Sequence, residues 1–140
     1  MNPTTPSLLD DLLQEWQQLL TNWASSGALS RAAQEALLLE GEPEQLQVVV
    51  SEWIEGDFSN LPPVVLLPAG DMPGAAGAYA ISTRTIYLNQ DWLQSASHDN
   101  ALAVLTEELG HHLDGLLNAS DTPGDEGELF SILLNGMFVS

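Results

Sequence analysis

Thr106-Glu107-Glu108-Leu109-Gly110-His111-His112-Leu113-Asp114 is the stretch on which the fold turns. Leu102, Leu105, Leu109, Leu113 and Leu116 recur around it at three- and four-residue intervals. That period predicts one helix from about Asp99 to Leu117 with a single apolar stripe. Glu107, His111 and Asp114 fall largely off the stripe. Glu107 and His111 are four residues apart, so they stand one turn apart on one helical face. This is the spacing two side chains need to share one cation. Glu108 precedes His111 by three residues and can reach a water on the same ion. His112 is turned about 100° from His111, and reads as a surface residue or one that touches the ligands from behind. Asp114 either orients His111 by a hydrogen bond or simply faces solvent. Gly110 costs an exposed helix about 1 kcal/mol relative to alanine, so its presence predicts a close backbone approach.

Working toward the N-terminus, Thr85-Ile86-Tyr87-Leu88-Asn89 and Ala78-Tyr79-Ala80-Ile81-Ser82 read as two strands joined through Thr83-Arg84. The Gly-, Pro- and Ala-rich stretch from Ala69 to Gly77 reads as a loop. Val64-Val65-Leu66-Leu67, bounded by prolines, reads as a short buried strand. Trp92-Leu93 fits a short helical turn. Farther back the pattern is helical only. One helix runs from Ser7 to Gly27, a second from Ser30 to Gly41, and a third from Pro43 to Gly56. Pro43 suits a first helical position. Trp16, Trp23, Trp53 and Trp92 sit at core spacing, and Tyr79 and Tyr87 are expected to pack on the strand pair. Residues 1–6 read as a disordered lead-in. Toward the C-terminus, residues 119–127 form an acidic loop and Glu128 to Leu134 a last helix. The expected architecture is α+β: a helical front at 7–56 and a mixed part at 63–135, joined in one domain over 7–140.

Composition narrows the function. The 140 residues hold 20 Asp and Glu against 2 Lys and Arg, a formal charge of −18. The only two cations are Arg31 and Arg84, so little is available to neutralise phosphates. Nucleic acid is excluded as a partner on that ground, and an anionic membrane surface with it. The chain has no cysteine, which removes disulfides and thiolate metal sites. No apolar run approaches the 18 or more residues of a membrane span. No signal-peptide pattern opens the chain. The acidic balance favours cation binding and a salty or extracellular setting. Extracellular placement by signal-peptide-independent export is the expectation, with the cytoplasm as the alternative.

The motif region resembles the zincin metallopeptidases, whose helix carries His-Glu-x-x-His, frequently as His-Glu-Leu-Gly-His. Here Glu107-Glu108-Leu109-Gly110-His111 matches four of the five positions of that version. The strand pair before it, with Gly77-Ala78-Tyr79 and Ile86-Tyr87-Leu88-Asn89, is similar to the pair that precedes the helix in zincins. In the branch with a glutamate ligand, a later helix supplies a carboxylate; Glu128 is the matching candidate. The resemblance covers roughly residues 63–135. The whole chain also looks like domains of large secreted cyanobacterial proteins.

The resemblance implies a divalent metal held by Glu107, His111 and Glu128, with Glu108 as catalytic base on a peptide or protein substrate. The peptide would add to the strand edge near Tyr79–Ile81. Glu107 replaces the first histidine of the family. One imidazole and two carboxylates lower the Lewis acidity of an ion and shift preference from Zn²⁺ toward Mn²⁺, Fe²⁺ or Ca²⁺. Two further readings stand beside hydrolysis. One is a non-catalytic, cation-stabilised module of a larger secreted or surface protein, joined to other domains of a parent chain. The other is a purely structural or interaction domain. In that case Asp121, Asp125 and Glu126 would be turn and helix-start residues.

Overall fold

The structure is a computed structural model that describes residues 5–118 and 126–136. Three helices open it: α1 (Thr5–Ser26), α2 (Ala28–Ala36) and α3 (Glu44–Ile54). Three strands follow: β1 (Val64–Leu67), β2 (Gly77–Ala80) and β3 (Thr85–Asn89). Then come α4 (Gln90–Ser95), α5 (His98–Leu117) and α6 (Glu126–Gly136). The architecture is α+β, with a helical N-terminal half and one small mixed sheet.

The sheet order is β1-β3-β2. β1 runs parallel to β3, with Val64 opposite Ile86, and β2 runs antiparallel to β3, with Tyr79 opposite Ile86. β3 is therefore central, and its buried Ile86 and Leu88 supply the sheet's share of the core. β1 is a half-buried edge with Val65 exposed, rather than the buried strand its apolar run predicts. A strand paired on one side only keeps part of its apolar face in water. Asn89 ends β3 and starts α4. Its side chain accepts from Trp92 N at 3.0 Å and donates to Ala75 O at 3.1 Å, which ties the preceding loop to the helix start.

α5 is the element on which the others converge. Ser97 caps it, its hydroxyl accepting from Asn100 N at 3.1 Å. The predicted stripe of Leu102, Leu105, Leu109 and Leu113 is buried. One continuous core includes that stripe, Ile86 and Leu88 of the sheet, Phe130 and Leu134 of α6, and Trp16, Leu20, Leu29 and Trp53 of the helical front. The front and the mixed half thus share apolar packing. Trp16 bridges them: its indole N–H donates to Thr106 Oγ1 at 3.2 Å, inside the core.

Several boundaries differ from the periodicity. Residues 5 and 6 belong to α1 rather than to a lead-in; residues 1–4 lie outside the described residues. α2 stops at Ala36, not near Gly41. Leu38 there takes a left-handed conformation (φ 55°) with its side chain exposed. The apolar Leu37-Leu38-Leu39 run extends the helical pattern, but the chain must turn to reach Pro43. β2 begins at Gly77 and ends at Ala80, the residues 81–84 making the turn to β3. α6 begins at Glu126, two residues before the expected start, while residues 119–125 of the acidic loop lie outside the described residues.

Candidate metal centre

α5 and α6 cross at two glycines. A Cβ placed on Gly110 would come 2.8 Å from Gly127 Cα and 3.1 Å from the Phe130 ring. A Cβ on Gly127 would come 2.5 Å from the Glu107 carbonyl oxygen and 2.8 Å from His111 Nε2. No side chain larger than hydrogen fits at either place without backbone movement. The close approach expected at Gly110 is present, and its partner is the first turn of α6. The His111 imidazole and the Glu107 backbone therefore lie directly against that turn. Glu128, the next residue, is exposed.

The charged residues of the motif divide by face. Glu107 and His111 are half-buried, and the His111 ring lies against α6. Glu108 is buried and packs toward the sheet, its Cγ 3.4 Å from where a Cβ on Gly77 of β2 would sit. Glu107, Glu108, His111 and Glu128 each have interaction partners. Among the described residues no group of three or more His, Asp and Glu side chains is gathered as a cation site. What the helix itself provides is a pair, one imidazole and one carboxylate a turn apart. That pair fits a cation chemically, and the acidic first turn of α6 lies beside the same imidazole. Asp121 and Asp125 lie outside the described residues, and of the Glu126 side chain nothing is described.

The other two motif residues depart from the sequence reading. His112 is not at the surface: it is 8 % exposed, and its Nδ1 lies 2.8 Å from the Tyr79 hydroxyl of β2. The two rings meet edge to face, with centroids 5.5 Å apart. Burial, with a smaller contribution from the Arg84 charge, lowers the His112 pKa to about 4. The ring is therefore neutral at pH 7. Burial raises the Tyr79 pKa as well, partly offset by Arg84. Asp114 does not face solvent either, being 2 % exposed. Asn118 Nδ2 donates to Asp114 Oδ1 at 2.7 Å and to Leu37 O at 3.0 Å. This knot joins the end of α5 to the turn after α2. Hydrophobic period alone does not reveal either burial, because both residues are polar; Tyr79 beside His112 is distant in sequence, while Asn118 beside Asp114 is one turn on and is itself tied to the distant Leu37.

His98 opens α5, where its ring Nδ1 lies 2.8 Å from Glu15 Oε2 of α1 in an exposed pair. Arg84 is exposed in the 81–84 turn, in a left-handed conformation (φ 51°). No helix among the described residues is long and apolar enough to cross a membrane. No family model, curated protein or solved structure matches this chain.

Proposed function

We infer that this chain is a zincin-like, metal-dependent peptidase domain. The observation that carries this reading is the glycine crossing, which brings the start of α6 against His111 on the motif helix. Glu107, His111 and Glu128 would hold a divalent cation, either Zn²⁺ or, with two carboxylates among the donors, Mn²⁺, Fe²⁺ or Ca²⁺. Such a cation supplies Lewis acidity at a scissile carbonyl. Glu108, next to the ligands on the helix and buried toward β2, takes the proton from the attacking water. Among the described residues β2 has no strand beyond it in the sheet. Its outer edge can pair with an extended peptide through main-chain hydrogen bonds. With a formal charge of −18, basic or neutral peptides are the favoured substrates.

The test is elemental analysis of the purified protein with and without chelator, beside hydrolysis of a mixed peptide library. Stoichiometric metal, with cleavage lost in Glu108→Gln while the metal stays, supports the reading. Glu107→His should restore the family motif and raise zinc affinity. Bound metal with no cleavage by the wild type would favour the cation-stabilised module of a larger protein instead. Absence of any bound metal sinks both.

A further inference from the structure

The face of α5 that carries His112, away from His111, walls a cleft of about 590 Å³. Its opposite wall is α3, which contributes Val49 and Trp53 and the carboxylates Glu44 and Glu52. Arg84 and His112 line it on the sheet side. They also line a smaller adjoining hollow of about 110 Å³ that includes Tyr79. The volume lies in the range of small-ligand sites, and the mixture of an apolar lining with a few convergent polar groups is what such sites show.

The charges of this cleft select its occupant. The chain as a whole repels anions, having only two cations against 20 carboxylates. One of those two cations nonetheless stands in this cleft, in a backbone conformation that costs a non-glycine residue about 1 kcal/mol. Arg84 suits an anionic group such as a carboxylate, and the surrounding negative field favours a ligand that also carries positive charge. Glu44 and Glu52 provide for the second. Both line the cleft from α3, and a cavity of about 590 Å³ is in the range that takes a ligand of a few residues. Val48, exposed, with the half-buried Leu61 and Leu116, offers apolar surface for the side chains between. When the Tyr79 hydroxyl donates to His112 Nδ1, the ring proton sits on Nε2, giving a neutral donor in the same wall.

We propose that this cleft binds a short apolar peptide with both termini free, its C-terminal carboxylate on Arg84 and its cationic N-terminal end beside the α3 carboxylates. The site is separate from the face carrying Glu107 and His111, and the proposal does not rest on metal binding or hydrolysis.

Titration calorimetry of the full chain with the tripeptide Ala-Leu-Leu tests it, against the same peptide amidated at its C-terminus and the same peptide acetylated at its N-terminus. The free acid should bind at least tenfold more tightly than the amide, since a charge-assisted pair is lost. Arg84→Asn should erase that difference, as asparagine tolerates the left-handed turn. Glu52→Gln with Glu44→Gln should erase the preference for the free over the acetylated N-terminus. Equal binding of acid and amide by the wild type, or no binding up to millimolar peptide, overturns the proposal even if a variant does not fold. Chelator should leave binding unchanged, so failure of the peptidase reading and failure of this one are told apart.

Discussion

Gly110 and Gly127 face each other so closely that a methyl group on either would strike backbone of the other helix or the imidazole beside it. Both lie within helices, where glycine to alanine normally stabilises by up to about 1 kcal/mol. Here the sign reverses. Gly110→Ala should destabilise by about 1–3 kcal/mol, because the neighbour is a main-chain Cα that cannot swing aside. Gly115, on the same helix but with open space around it, is the control. Gly115→Ala should stabilise by roughly 0.5–1 kcal/mol. Urea melts of the two variants check this, and equal shifts in one direction would contradict the crossing.

His112 makes stability depend on pH in a definite direction. Its folded-state pKa is about 4, below the ordinary 6.5. The unfolded chain therefore binds the proton more readily between those values. The stabilising contribution is fully present above about pH 6.5 and is lost as pH falls toward 4, on the order of 3 kcal/mol in all. His112→Asn keeps an acceptor for Tyr79 but cannot take up the proton. Denaturant melts at pH 7 and pH 4 should show a larger acid loss for wild type than for this variant; parallel losses would refute the assignment.

Asn118 should be costly to remove. Its amide serves both the buried Asp114 carboxylate and Leu37 O. Asn118→Ala leaves those acceptors short of a donor, and a loss of about 1–3 kcal/mol is expected. Asn100→Ala, which leaves the capping backbone N–H of the α5 start in place, should move stability by less than about 0.5 kcal/mol. Thermal melts of the pair test the contrast.

Ionic strength should stabilise the fold without specific binding. With 20 acidic residues and 2 basic ones, self-repulsion is felt more in the compact state. Raising NaCl from about 10 mM to about 0.5 M shortens the Debye length from about 30 Å to below 8 Å and should raise Tm. A specific cation site adds to this: Tm should rise further with millimolar divalent cation at constant ionic strength. A Tm that tracks ionic strength alone, whatever the ion, would speak against the site.

Much of this fold is written in local pattern. The α5 stripe, the strand at 85–89 and the tight approach at Gly110 follow from period and from the cost of glycine in a helix. The sequence is less informative where polar residues are buried by distant partners. His112 and Asp114 look like solvent-facing positions because hydropathy period registers apolar groups only. His112 is met by Tyr79, 33 positions earlier; Asp114 is held by Asn118, one turn on, whose amide also reaches the distant Leu37 O. The end of α2 is hidden for a related reason: Leu37-Leu38-Leu39 continues a helical pattern that the chain abandons in order to turn. Of the candidate site, the Glu107–His111 pair is a matter of spacing and readable at once. The approach of α6 depends on a tertiary crossing that only Gly110 foreshadows.

α5 touches α1, α3, α6 and two strands of the sheet, and its polar face is nearly as enclosed as its apolar one. A segment wrapped this way cannot fray or swing out while its neighbours stay folded. Its middle amides should exchange with solvent only when the entire chain opens, at rates set by global unfolding. Any ligand taken up on either side of the helix would then slow exchange on both.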